Sequence, residues 1–82
     1  MPKYQPLKYR DVATILKSLG FQQESGTGSS HQTWVLTREN ISYAVTVAFH
    51  GANREFKRGT LDSMIRQSGF PKKEFYEALK KR

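Results

Sequence analysis

Five stretches of this chain carry periodic apolar positions, and polar segments or glycine–proline breaks separate them. In residues 9–19, Val12, Ile15, Leu16 and Leu19 recur at i, i+3, i+4 and i+7, which predicts an amphipathic helix with one buried stripe. Gly20 stands where a left-handed residue commonly closes a helix, and Phe21 follows as the apolar contact beyond the cap. Pro2 and Pro6 predict an extended lead-in. Residues 21–25 read as a short strand. Residues 26–30 hold no apolar side chain and two glycines, so they form an exposed loop.

The middle of the chain switches to period two. In residues 32–37, Gln32, Trp34 and Leu36 share one face, and Thr33, Val35 and Thr37 share the other with His31. In residues 41–49, Ile41, Tyr43, Val45, Val47 and Phe49 share a face opposite Ser42, Ala44, Thr46, Ala48 and His50. A two-residue Glu39-Asn40 loop pairs Arg38 with Ile41. Trp34 then faces Val45, Leu36 faces Tyr43, and His31 faces Ala48, so like faces meet. This register puts His31 on the open side of the sheet, with His50 one diagonal step away, about 7–8 Å between backbones.

After a loop over residues 50–59, Thr60 is the expected N-cap of a second helix, with Asp62 in its first turn. Leu61, Met64 and Ile65 form its stripe; Gly69 closes it and Phe70 packs back. Pro71 opens a last helical segment carrying Phe75, Tyr76 and Leu79. The order is helix, three strands, helix, and a short C-terminal helix. The expected fold is α+β, with two helices on one face of a three-stranded antiparallel sheet, as in double-stranded-RNA-binding-like folds. Fold alone does not settle function.

Length makes residues 1–82 a single domain with one modest core. No cysteine is present, which excludes a disulfide framework and a cysteine zinc ribbon and fits a cytoplasmic protein. The N-terminal segment lacks the apolar core of a secretory signal, and no run suits a membrane span. The net charge of +7 changes the picture most. It fits nucleic acid, an acidic protein or an anionic membrane; small size together with charge puts nucleic acid first.

The candidate chemistry is sparse. His31 can move a proton near neutral pH. His50 is a candidate second proton carrier, the alternative being a loop histidine that touches RNA or nothing. Ser29, Ser30 and the amides around Gly28 can cradle a phosphate. Arg54, Lys57, Arg58 and Arg66 are candidate phosphate contacts, and Lys57 and Arg58 precede a helix N-terminus. Trp34 and Tyr43 have core parity; Tyr9 is expected to be exposed. Neither a metal site nor a serine-hydrolase triad assembles from these residue types. No cofactor is called for.

Three segments resemble a known family in its order. These are Leu19-Gly20-Phe21; Gly28-Ser29-Ser30-His31 with Trp34; and Val47-Ala48-Phe49-His50 with Lys57-Arg58-Gly59-Thr60-Leu61 running on to Gly69-Phe70. Together they resemble the HicA toxins, mRNA interferases paired with HicB antitoxins. Ala48 stands where that family often has proline, and one extra serine lies between Gly28 and His31. The resemblance implies endoribonuclease activity dependent on His31 and independent of metal. It also implies mRNA as substrate and a HicB-type antitoxin over the active face. A non-catalytic RNA-binding module of the same fold is the alternative. A DNA-binding regulator lacks helix-turn-helix spacing.

Overall fold

The computed structural model describes residues 6–24, 31–49, 51 and 53–80. Its elements run α1 (Tyr9–Ser18), β1 (Gln22–Gln23), β2 (His31–Arg38), β3 (Ile41–Ala48), α2 (Arg58–Ser68) and α3 (Lys72–Lys80). The sheet is antiparallel in the order β1-β2-β3. The architecture is the α+β, double-stranded-RNA-binding-like arrangement that the patterning predicts. Among the described residues, no helix is long and apolar enough to cross a membrane.

The helix ends follow from local chemistry. The backbone N–H of Lys8, at the N-cap of α1, donates to the Asp11 carboxylate at 3.0 Å. At the other end Phe21 N–H reaches the Leu16 carbonyl and Gly20 N–H reaches that of Lys17. That bond pair turns the chain through Gly20 at φ +101° and drops Phe21 into the core. The α2 start departs from expectation. Lys57, not Thr60, is the N-cap, no side chain caps it, and Asp62 lies beyond the first turn. Thr60 has a good capping side chain, but the helix has already begun: Leu61 N–H bonds the Lys57 carbonyl.

The hairpin has the predicted register throughout, from Arg38 opposite Ile41 to His31 opposite Ala48. Glu39 and Asn40 have φ of 51° and 67°, as a type I′ turn requires. Trp34, Val45 and Val47 are buried beneath the helices. They meet Val12, Ile15 and Leu16 of α1 and Leu61, Met64 and Ile65 of α2. The last helix joins this core, because Phe75 is wholly buried in it. The ends of the apolar face run past this cover. Ile41 is 53 % exposed beside the turn, and Phe49 is 39 % exposed, lying edge-on against Tyr9.

Gly69, at the end of α2, and Gln67 set this helix on β3. Gly69 closes the helix at φ +77°, directly against the Tyr43 ring. Beside it, the Arg38 guanidinium sits 4.3 Å from the Phe70 ring centroid and 5.3 Å from that of Tyr43. Further along, Gln67 accepts the backbone N–H of Thr46 at 3.0 Å. A two-residue turn makes Arg38 and Ile41 a bonded pair, so the Thr46 N–H points outward from β3. Gln67 thereby satisfies a donor on the sheet's outer edge.

Candidate functional site

The face away from the helices is short and polar. From β2 it carries His31, Thr33, Val35 and Thr37; from β3, Ser42, Ala44, Thr46 and Ala48. His31 opens β2 and is exposed. Its partner Ala48 sits in a non-bonded pair, where backbones come within about 4.5 Å. The side chain of Ala48 is a single methyl group, and His31 is exposed on the open face. Trp34 on the opposite parity is 2 % exposed, which fixes the parity of His31.

Residues 54–56 are stitched to the lead-in of α1. Lys8 and Glu55 form an antiparallel bridge. Phe56 N–H donates to the Leu7 carbonyl at 2.9 Å, and Tyr9 N–H to that of Arg54 at 3.3 Å. Arg54 N–H also closes a turn onto the Gly51 carbonyl. These bonds hold Arg54, Lys57 and Arg58, all exposed, at the end of the sheet where β3 finishes. The N-terminal end of α2 adds its partial positive charge there. Arg66, in the last turn, is about 12 Å further along the helix from Arg58, so the structure does not gather it with the other three.

Gly28, Ser29, Ser30 and His50 lie outside the described residues. Among the described residues, no group of three or more histidine or carboxylate side chains converges as a metal site.

Sequence reasoning missed how Tyr9 is placed. It is half-buried, not exposed; its hydroxyl donates to the Gln32 side chain, and its ring packs 4.7 Å from that of Phe49. Burial raises its pKa above the usual tyrosine value, and the bond to Gln32 offsets part of that rise. The signal was Gln32 itself, a polar side chain on the core parity that needs a buried partner. Also missed was a pocket of about 320 Å³ at this end of the fold, with Tyr9, Ala48, Phe56 and Thr60 among its lining residues.

No curated protein matches the chain. Residues 9–70 match the family described as the HicA toxin of bacterial toxin–antitoxin systems. The match runs from the first residue of α1 to the phenylalanine that follows α2, so it takes in the whole sheet and both flanking helices. The chain therefore belongs to the HicA toxin family, whose members are toxins of toxin–antitoxin systems and generally ribonucleases.

Proposed function

We propose that this chain is an endoribonuclease toxin that cuts single-stranded mRNA in the cytoplasm by acid–base chemistry at His31. The observation that carries the reading is the exposure of His31 on the open face, beside a cluster of cations. RNA supplies its own nucleophile. A 2′-hydroxyl attacks the adjacent phosphorus, the P–O5′ bond breaks, and a 2′,3′-cyclic phosphate and a 5′-hydroxyl result. One proton leaves the 2′-oxygen and one reaches the 5′-oxygen; His31 carries one of these transfers. No metal is needed for that step.

Arg54, Lys57 and Arg58 bind backbone phosphates in this reading, with Gly28, Ser29 and Ser30 cradling the reacting one. His50 is the further candidate for contact with the strand. A HicB-type antitoxin silences the toxin by covering the His31 face. That face is polar and borders positive charge, which suits an acidic partner.

Replacing His31 by Ala tests the proposal. General acid–base groups contribute about 10²- to 10⁴-fold. Fragment yield from a single-stranded RNA should fall by that factor, while the melting temperature and most RNA affinity stay unchanged. A variant that cuts at the wild-type rate refutes the assignment. A wild type that binds RNA and never cuts it points to the non-catalytic module.

A further inference from the structure

The pocket of about 320 Å³ is not part of the chemistry assigned to His31, yet it opens beside it. Ala48 belongs to both: it lines the pocket and stands opposite His31 in the sheet. Ala48 thus joins the pocket to the strand position that carries His31.

The volume lies at the lower end of the range for small-ligand sites, about 300–1,000 Å³. Two aromatic residues, Tyr9 and Phe56, form part of the wall, and Arg54 and Lys57 stand among its polar residues. Glu55 also lines it. A bare phosphate would meet that carboxylate's charge, whereas a base presents N–H groups that the carboxylate can accept. Aromatic walls suit a flat π-system, because every base offers a face to stack. Backbone hydrogen bonds fix the segments that carry these side chains. Phe56 N–H is tied to Leu7 and Tyr9 N–H to Arg54, so the opening is present before any ligand arrives.

We propose that this pocket is a subsite for one nucleotide of the RNA strand, its base against Tyr9 and Phe56 and its phosphate toward Arg54 and Lys57. It anchors the strand through one base beside the cut. The proposal rests on the ribonuclease reading, and the experiment separates the two.

The His31→Ala chain is titrated with each nucleoside 5′-monophosphate and, separately, with inorganic phosphate, while backbone amide resonances are followed. Expected are shifts centred on Gly51, Phe56 and Thr60. At least one nucleotide should bind about 5- to 150-fold more tightly than phosphate, the range for stacking one base. Thr60→Trp places an indole at the pocket wall and should remove that advantage; if this variant does not fold, Arg54→Ala should lower the affinity for the nucleotide but not for the free nucleoside. Equal binding of phosphate and all four nucleotides overturns the proposal, as does a folded Thr60→Trp chain that keeps the advantage. A pocket that ignores nucleotides but is shielded by the antitoxin is a protein interface, and that also overturns it. If the wild type cuts no RNA while nucleotides still move these amides, the ribonuclease reading fails and the pocket stands.

Discussion

Gly69→Ala tests how firmly α2 is held against the sheet, and its size can be worked from geometry. The residue has φ +77°, so any Cβ incurs the left-handed penalty of about 1–2 kcal/mol. That Cβ would also fall 2.7 Å from Tyr43 Cδ2 and 3.0 Å from Cζ, with Cε2 nearer still. Displacing a packed ring costs about 1–3 kcal/mol. Against this, alanine restricts the unfolded chain, which returns about 0.4–1 kcal/mol. The net loss is about 1–5 kcal/mol, a large part of the stability of a chain this size. Gly20→Ala is the comparison. It shares the positive φ, but its Cβ would meet only Leu36 Cδ1, at an ordinary 3.4 Å. Urea unfolding of both variants, and of Gly69→Ala in a Tyr43→Ala background, separates the terms. The Gly69 cost should exceed the Gly20 cost and should fall by about 1–3 kcal/mol once the ring is gone. Equal costs at the two glycines, or no relief without Tyr43, would refute the argument. The contact bears on function, because α2 carries Lys57 and Arg58 at its other end.

Two further outcomes are expected. Each phosphate neutralised on a single strand contributes a slope of about −0.7 in log K against log salt, so Arg54, Lys57 and Arg58 together give about −2.1. RNA affinity of the His31→Ala chain, read by fluorescence anisotropy, should then fall about 18-fold between 50 and 200 mM salt. Lys57→Ala should flatten the slope by about 0.7 and Arg66→Ala should not; an unchanged slope in Lys57→Ala sinks the assignment of that cation. In a complex with the antitoxin, hydrogen exchange should slow at the sheet end around His31 and Ala48; protection confined to α1 and α3 would rule out masking of that face.

The hairpin was legible because two alternating strands and a two-residue loop allow one register that keeps like faces together. Each slip by one residue would have sent Trp34 and Val45 to opposite sides. Gly20 and Gly69 were legible for a related reason, since each follows an apolar stripe and precedes a phenylalanine. The start of α2 was not. Thr60 looks like a cap, but side-chain preference there is outweighed by backbone bonds that begin at Lys57. The pocket was hidden for a different reason. Part of its wall comes from residues 54–56, which pair with residues 7–9, and neither segment alternates. Periodicity reports which face of an element is buried; it carries nothing about two irregular segments bonding across more than forty residues of chain. Tyr9 fell in the same blind spot, because its partners Gln32 and Phe49 are distant in sequence.

The bond from Thr46 to Gln67 bears on how this chain behaves in a crowd. A rim strand with bare amides invites a neighbour to zip on, and repetition of that event builds fibres. Here a helix side chain already occupies one rung near the middle of the rim. An incoming strand would have to evict the glutamine before it could register. That eviction is a cost any such addition must meet at this rung.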